Sequence, residues 1–530
     1  GIVLFSKRCS SVVLMCVNFY MIIGIDLRPL IHPHRTGVGV YTFELLQALF
    51  SIDKKNTYIL FCNAYRDVSV HMPAFDQKNV RFVYTRYPNK LFHLGQLLGI
   101  FSLDQFILRR VSDIDHFDYF FSLNLHFTHI SSKTKTLKTI HDLSFLYFPD
   151  CYSWWRRVWH RLMQPKKQVA SSRIVFVPSN NTKRDVHRSL GVKETSIQVL
   201  SPGVSSIFFS DTALSSKEVQ TKYNLPSEFL LFLGTLEPRK NILAIIEAFV
   251  LAKPHLSSTC ELIIAGSLGW KHGPILRAIA RTSGVRYIGY VDEIDKPALY
   301  CLSTIFVFPS LYEGFGLPVL EAMASKTAVI TSARSSLAEV VGDAGYLVHP
   351  LYVSEIADAI ITLCTDDTLR ELYRIKGYTR SCDFSWQKTA KTFLTYIEQC
   401  FMNTDQTLTF GALKEQLAVF YKERDWDQFH DPKNVADAIS IEVGELLELM
   451  LWKNPEEVTS RMETDPSYRT AIEEELVDVL LYCFNFAIST NIELAPVILR
   501  KMAKNAQKYP SNVMKGNAPD RFVIAQKKAQ

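Results

Sequence analysis

The chain has 530 residues, 48% hydrophobic and 21% charged, which is enough for about three or four domains with large packed cores. Its ten cysteines form no Cys-x-x-Cys pair, which excludes the usual zinc-finger spacing and suits a reduced, cytosolic setting. The net charge of +6 is uneven, because residues 401–530 carry 15 Lys and Arg against 20 Asp and Glu. A basic first part and an acidic tail indicate two modules with different partners.

The first twenty residues resemble a signal peptide only in part. Lys7 and Arg8 precede an apolar run, but no A-x-A-like cleavage site follows, and the run continues into the strand-like "MIIGID". We therefore expect Met21 to be the natural start and residues 1–20 to be an upstream leader or readthrough. No stretch of the sequence approaches the ~18 apolar residues of a membrane-spanning helix.

Short apolar runs alternate with helical patterns from Met21 to about residue 400. Each run is only a few residues long and rich in β-branched or aromatic residues: "MIIGID", "TYILFC", "VRFVYT", "DYFFS", "LKTIHD" and "RIVFVPS", then "FLLFLGT", "CELIIAG", "VRYIGY", "IFVFPS", "AVITS" and "YLVHP". This alternation is typical of doubly wound parallel sheets. We predict one α/β domain over residues 21–205 and a second over 206–400, with one helix over Ser153–Ser172 and a closing helix from Trp386 to Cys400.

The strand pattern stops after Met402. Residues 401–408 are polar and form the predicted junction. Four long amphipathic stretches follow: "TFGALKEQLAVFYKERD", "NVADAISIEVGELLELMLW", "YRTAIEEELVDVLLYCFNFAIS" and "APVILRKMAKNAQ". Their helical period predicts an all-α bundle over residues 409–530, so the fold class is α/β plus all-α.

Two charged loops of the second domain suggest a ligand site. "LYEGFG" follows a predicted strand, and "LPVLEAMAS" opens a helix that carries Glu321. Ligands of open α/β sheets bind beyond the carboxyl ends of the strands, where Gly316 permits close approach and the amide of Leu317 can hold an anion. Arg239 and Lys240 lie where another strand meets its helix, which suits a diphosphate. Helix-start carboxylates and a solvated basic pair remain the alternatives.

The motifs "GTLEPRKN", "YEGFGLPVLEAMA", "TGVGVYTFELL", "TIHDLSF" and "VLSPGV" resemble glycosyltransferase family 4, retaining enzymes with the GT-B fold. This resemblance covers about residues 21–400. It implies that Glu321 binds the ribose of a nucleotide and that Glu313 faces the donor sugar. Arg239 and Lys240 would hold the diphosphate, and no metal would be required for transfer. The resemblance further implies phosphate contacts from the loop of Gly37 and Gly39 and places His141 beside the reacting carbon.

The tail carries acids inside apolar helices. Glu442 and Glu445 are three residues apart, as are Glu475 and Asp478, so each pair shares one helical face. If the four carboxylates converge, they form an oxygen-only site suited to Mg²⁺. Without a cation they would repel one another. Acidic helix surface is the alternative.

The tail resembles MazG-like nucleotide pyrophosphohydrolases of the dCTP pyrophosphatase type in "YKERDWDQFHDPKN", "EVGELLELMLWK", "EEELVDVLLY" and "KMAKNAQKYP". This resemblance implies that the four acids are metal ligands and that the reaction is NTP + H₂O → NMP + PPᵢ. It also implies that two aromatic residues hold the base and that three polar residues complete the phosphate and base site. These five are Trp426, Trp452, Lys504, Asn505 and Lys508.

Together the two resemblances predict a fused, two-part enzyme. The expected partners are a nucleotide sugar, with a GDP-mannose-like donor favoured, a glycan or lipid-linked acceptor, and a nucleoside triphosphate; nucleic acid is not expected. We expect the chain to be cytoplasmic, with peripheral contact at the inner face of a membrane as a further option. We also expect a homo-oligomer formed through the helical domain. The alternatives are that one half is a non-catalytic binding or oligomerisation module, or that two neighbouring genes have been joined.

Overall fold

The computed structural model describes residues 20–31, 35–68, 72–210, 213–402 and 408–510. The expectation about residues 1–20 falls almost entirely outside these ranges. The chain divides into two compact units, Gly1–Thr395 and Tyr396–Gln530. The division falls inside a helix, close to the junction predicted from the sequence.

The first half is built on a seven-stranded sheet whose neighbouring strands all pair in parallel, in the order β3-β2-β1-β4-β5-β6-β7. The predicted runs become the first six strands, and β7 is a short edge strand that the sequence did not reveal. The strands are β1 Ile22–Asp26, β2 Thr57–Asn63, β3 Val80–Thr85, β4 Tyr119–Ser122, β5 Lys135–Thr139, β6 Ile174–Val177 and β7 Ile197–Val199.

Seven helices accompany this sheet: α1 Gly37–Ile52, α2 Asn89–Leu97, α3 Leu103–Leu108, α4 Ser144–Tyr147, α5 Trp154–Leu162, α6 Pro165–Ala170 and α7 Asn180–Leu190. The prediction of one helix over Ser153–Ser172 is wrong, because α5 and α6 are separate. Gln164 between them has a left-handed φ of 47°. Proline disfavours helical geometry in the residue before it and is accepted at the first position of a new helix, so Pro165 ends one helix and begins the next.

The second half is built on a six-stranded parallel sheet in the order β10-β9-β8-β11-β12-β13, as predicted. Its strands are β8 Phe229–Leu233, β9 Glu261–Ala265, β10 Val285–Tyr287, β11 Ile305–Phe308, β12 Ala328–Ser332 and β13 Tyr346–Val348. Its helices are α8 Ala213–Lys222, α9 Ile242–Ala252, α10 Gly273–Arg281, α11 Lys296–Leu302, α12 Leu317–Ala324, α13 Ser335–Val341, α14 Val353–Thr365, α15 Asp367–Ser381 and α16 Trp386–Met402.

Helix α16 is the predicted closing helix, and it returns to the first sheet. The ring of Phe393 stacks on that of Phe121 in β4, with 4.9 Å between centroids. Trp386 is buried and lies edge-on to Tyr41 in α1, at 5.5 Å. The two α/β halves therefore share apolar contacts through the last helix of the second.

The tail is helical throughout its described part, with α17 Phe410–Lys422, α18 Pro432–Glu448, α19 Pro455–Thr464, α20 Pro466–Ser489 and α21 Leu494–Lys508. The four predicted helices are present, and α19 is an addition. Its small core is formed by Leu417, Tyr421 and Phe484. Among the described residues, no single helix is long and apolar enough to cross a bilayer, and only the bent pair α20 and α21 passes a test of length and composition when taken together.

Candidate functional sites

The basic pair of the second domain lies in a 3₁₀ turn between β8 and α9. Both side chains are buried and meet the same carboxylate. Lys240 Nζ lies 2.6 Å from one oxygen of Glu313, and Arg239 Nη1 lies 2.9 Å from the other. Glu313 is 73 residues further along the chain, in the loop after β11. The fold therefore joins the two loops that sequence reasoning had singled out separately.

A second carboxylate joins this cluster. Glu237, three residues before Lys240, accepts a bond from Arg239 Nη2 at 2.6 Å and is buried. Sequence reasoning missed Glu237, although it lies within the quoted motif "GTLEPRKN". Arg239 also has a buried Nε with no hydrogen-bond partner among the described residues, so one donor of the guanidinium remains available for an anion.

The two carboxylates of the cluster titrate in opposite directions. Burial favours the neutral form of Glu313, but the charges of Arg239 and Lys240 outweigh burial and lower its pKa to about 2. Burial raises the pKa of Glu237 despite the same two cations, helped by repulsion from Glu313. Glu313 is thus a fixed negative charge between two fixed positive charges.

Helix α12 begins at Leu317 directly after Gly316, which has a φ of 114°. A Cβ at Gly316 would come within 2.5 Å of Leu337, so glycine is required there by both conformation and space. Glu321 lies one turn into the helix, as predicted, and is buried; the hydroxyl of Tyr300 donates to it at 2.9 Å. Burial raises the pKa of Glu321, and nearby Lys296 opposes that shift.

His141 follows β5 in the first domain. Its Nε2 lies 2.8 Å from the carbonyl oxygen of Leu123, which can only accept, so Nε2 carries the proton. Burial lowers the pKa of His141, which favours a neutral ring whose Nδ1 is an acceptor. The ring lies edge-on to Tyr41 at 4.8 Å.

The loop of Glu313 lies directly against His141. A Cβ at Gly314 would collide with the carbonyl oxygen of His141. Ser179 Oγ and Thr182 Oγ1 donate to the carbonyl of Gly314 at 2.8 and 3.1 Å. The structure therefore brings the candidate catalytic residues of the two domains to adjacent backbone segments.

The predicted glycine loop is the start of a helix. Gly37 is the first residue of α1, and a Cβ there would meet nothing within 4 Å, whereas Gly39 lies against Arg35. Burial raises the pKa of Glu44, two turns further along α1, and the charge of Glu321 in the second domain adds to that rise. The first half of α1 is therefore within electrostatic range of the second domain.

Three of the four predicted metal ligands converge in the tail. One carboxylate oxygen from each of Glu442, Glu445 and Glu475 lies within 4.8 Å of the others. The pKa of Glu442 and that of Glu475 are raised by burial and by the surrounding acids, which include Asp478. Glu475 Oε2 is buried without a hydrogen-bond partner among the described residues. A crowded set of carboxylates with an unpaired buried oxygen fits a divalent cation.

Helices α18 and α20 run in opposite directions where the acids meet. Near the start of α20, the hydroxyl of Tyr468 donates to the carbonyl of Leu449, which follows the end of α18, at 3.0 Å. Further along α20, the charge of Glu442, which lies earlier in α18, raises the pKa of Tyr482 in addition to burial. Antiparallel packing of this kind lets two pairs spaced three residues apart face one another.

The predicted nucleotide-binding residues of the tail lie on its surface. Trp452 is 94% exposed, and Trp426 is 43% exposed beside Phe420. Lys504, Asn505 and Lys508 are exposed on α21. Within residues 408–510, no hydrogen bond or ring contact joins these five residues to the acidic cluster.

Comparison with known protein families identifies both parts. "Glycosyltransferase Family 4" matches residues 35–206, and "Glycosyl transferases group 1" matches residues 216–380. The MazG-like family matches residues 438–518. The first part of the chain therefore carries two glycosyltransferase domains, and the tail carries a MazG-like domain.

Relatives of known activity agree with this division. The O-antigen chain mannosyltransferase B of Escherichia coli is 28% identical over 377 residues, covering 68% of this chain and 96% of the relative. The dCTP pyrophosphatase 1 of Bos taurus is 42% identical over 110 residues, covering 21% of this chain and 64% of the relative. The chain is thus a glycosyltransferase joined to a pyrophosphohydrolase-type domain.

Solved structures support the fold of the first part. Sucrose-phosphate synthase from Thermosynechococcus elongatus superimposes with a TM-score of 0.57 at 19% identity, covering 72% of this chain and all of that one. WaaG, a glycosyltransferase of lipopolysaccharide biosynthesis, has a TM-score of 0.53 at 14% identity, covering 70% and 98%. The predicted GT-B architecture is confirmed.

Proposed function

We propose that the first part transfers mannose from a GDP-mannose-like donor to a glycan or lipid-linked acceptor. The observation that carries this proposal is the buried cluster of Arg239, Lys240 and Glu313, which lies against His141. The relatives named mannosyltransferases support the choice of sugar.

The cluster supplies what departure of a nucleoside diphosphate requires. As the glycosidic bond breaks, negative charge grows on the diphosphate, and fixed cations aimed at that charge lower the barrier. Lys240 and the unpaired Nε of Arg239 are such groups. Gly314 packs closely on the backbone of His141, and a donor sugar held beside this contact would be shielded from water, which otherwise competes with the acceptor. The neutral ring of His141 is then free to accept a hydrogen bond from a sugar hydroxyl.

The donor assignment predicts a preference among nucleotide sugars. The purified whole chain should release GDP from GDP-mannose, in the presence of a mannan or lipid-linked glycan, at least about tenfold faster than UDP from UDP-glucose. A coupled assay of nucleoside diphosphate release, with acceptor omitted as the control, measures this ratio. A preference for a UDP-sugar would overturn the proposed donor while leaving the enzyme class intact.

For the tail, we propose Mg²⁺-dependent hydrolysis of a nucleoside triphosphate to the monophosphate and pyrophosphate. Glu442, Glu445 and Glu475 would hold the cation with Asp478, which lies close enough to act on the pKa of two of them. A bound Mg²⁺ would activate water and neutralise the triphosphate. Stacking on Trp426 or Trp452 would hold the base, as aromatic side chains do with any nucleobase.

We propose that the helical part assembles with further copies of the chain. Its core contains few buried residues, while Leu447, Leu476, Leu499 and Met502 are 60%, 47%, 66% and 61% exposed. Burying apolar surface of this extent stabilises a helical assembly, and a neighbouring copy could bring Trp452 to an acidic cluster.

Light scattering of the whole chain should give the mass of a dimer or tetramer. The double variant Leu447→Glu/Leu499→Glu should lower that mass towards the monomer, whereas the control Glu457→Lys should not.

We further propose a cytoplasmic chain that touches an anionic membrane surface through α5. This helix has no buried residue, and Trp154 and Trp155 are 63% and 74% exposed beside Arg156 and Arg157. Exposed tryptophan with basic neighbours suits the interface of an anionic bilayer.

Co-sedimentation with phosphatidylglycerol vesicles tests this contact. The double variant Trp154→Ser/Trp155→Ser should no longer sediment with the vesicles, whereas the control Tyr352→Ser should sediment like the parent chain.

A further inference from the structure

A cavity of about 670 Å³ opens in the first domain between β5, α6 and the segment before β5. Its basic lining residues are His129, Lys135, Lys138, Lys167 and Arg173, and no Asp or Glu lines it among the described residues. Hydroxyl and amide side chains make up much of the remaining wall. His141, Arg239, Lys240 and Glu313 do not line it, so this cavity is separate from the proposed donor site.

Lys138 is the unusual group in this cavity. It lies on β5 between Ser122 of β4 and Val175 of β6, and it is only 4% exposed. Its Nζ donates to Gln168 Oε1 at 2.6 Å. The Nε2 of Gln168 donates to the carbonyl of Met163 at 2.6 Å, which fixes the amide so that its oxygen faces the lysine. Lys138 is therefore held in place by a neutral group.

No carboxylate among the described residues pairs with Lys138. Asp26 is the acid that interacts electrostatically with Lys138. Both oxygens of Asp26 already accept hydrogen bonds from the Nε and Nη2 groups of Arg28, at 2.6–3.0 Å. Asp104, behind Ser131 and Thr134 in the cavity wall, is likewise occupied by the hydroxyls of those two residues. The buried ammonium thus has no anionic partner of its own, which is costly in a protein interior.

The titration of the neighbouring groups agrees with an uncompensated cation. Burial lowers the pKa of Lys138 to about 8, with Asp26 opposing the shift and Arg28 adding to it. Burial also lowers the pKa of His93, and it lowers that of His126 to about 4. These two histidines are therefore neutral near pH 7, and the opposite charges of Asp26 and Arg28 cancel. The positive charge of Lys138 is left without a compensating negative charge.

We propose that this cavity is a second anion site, which binds the phosphate of a phosphorylated sugar or cyclitol at Lys138. Lys135, Lys167 and Arg173 lie exposed at the rim, where their charges steer an anion towards the cavity. The hydroxyls and amides of the wall, such as Thr128, Thr136 and Gln164, suit the hydroxyl groups of the ring. The phosphate supplies the counter-charge that the protein does not give to Lys138.

The ligand could be free in solution or be the headgroup of a lipid, so the test has two arms. The whole chain carries Lys240→Ala, which removes a phosphate contact at the proposed donor site, and EDTA removes any metal from the tail. Calorimetry measures the binding of glucose 6-phosphate, with glucose as the control. Co-sedimentation measures binding to phosphatidylcholine vesicles with and without phosphatidylinositol.

We expect binding in at least one arm. Lys138→Met should weaken it at least about tenfold, since charge-assisted hydrogen bonds are strong. Lys133→Met is the matched control, because Lys133 is exposed nearby but does not line the cavity. If Lys138→Met does not fold, the exposed pair Lys135→Ala/Lys167→Ala should weaken binding several-fold. Equal binding by parent and cavity variants, equal binding of glucose and glucose 6-phosphate, or no binding in either arm overturns the proposal.

Discussion

Glu475→Gln should reduce the release of pyrophosphate from nucleoside triphosphates at least about hundredfold. Substitutions of groups that only support a metal ligand typically cost 10–100-fold, and Glu475 is proposed to be a ligand itself. Its Oε2 is buried without a partner, and its carboxylate lies within 4.8 Å of those of Glu442 and Glu445. An amide at this position supplies one neutral oxygen where the cation needs charge.

The same substitution should not weaken the fold. Glu445, Asp478 and Glu474 are like charges near Glu475, and after burial their repulsion is a cause of its raised pKa. Removing a repelled charge leaves the unfolding temperature unchanged or raises it when no metal is present. Loss of hydrolysis together with retained stability is therefore the expected result, and it separates a metal ligand from a structural residue.

The measurement is pyrophosphate release from a panel of NTPs and dNTPs, with Mg²⁺ and with a chelator. Glu474→Gln is the matched control, since Glu474 is the preceding, exposed acid of α20, and it should change hydrolysis by less than about twofold. Glycosyl transfer should be unaffected in both variants. Hydrolysis that persists in chelator or in Glu475→Gln would return these acids to ordinary helix surface charge.

The secondary structure could be predicted where apolar pattern and length agree. Most strands of both sheets are short runs rich in apolar or β-branched residues, so twelve of the thirteen were recognisable from their pattern and length. The missing strand, Ile197–Val199, is three residues long. Helix α19, Pro455–Thr464, was missed because it has no buried residue to set a periodic pattern. Pro165 is a helix-breaking residue that is visible in the sequence, and the prediction of a single helix over residues 153–172 did not take it into account.

The candidate sites were predictable as residue types but not as arrangements. Arg239, Lys240 and Glu313 were named from motifs, yet nothing local indicates that Glu313 bridges both cations across 73 residues. The burial of Glu237 beside Arg239 also depends on tertiary packing. By contrast, spacing of three residues already places each pair of tail acids on one helical face. The packing of α18 against α20 then brings Glu442, Glu445 and Glu475 together.

Lys240→Ala should lower glycosyl transfer at least about tenfold, because a charge-assisted bond is worth roughly 1.5–3 kcal/mol and 1.4 kcal/mol is tenfold in rate. Lys240 is 9% exposed, and its Nζ lies 2.6 Å from a carboxylate oxygen of Glu313. Its loss removes one cation from the departing diphosphate and also leaves Glu313 with Arg239 alone. The pKa of Glu313 should then rise from about 2.

The two consequences of Lys240→Ala can be separated by adding Glu313→Ala to it. If Lys240 acts only by neutralising Glu313, the double variant should recover stability and lose no more transfer than Glu313→Ala alone. If Lys240 acts on the diphosphate, the double variant should be slower than Glu313→Ala alone by about the same tenfold factor. Rates of nucleoside diphosphate release at saturating acceptor measure both, with Lys217→Ala, at an exposed position of α8, as the control. Transfer by Lys240→Ala equal to that of the parent chain, with every active donor, would remove Lys240 from the donor site.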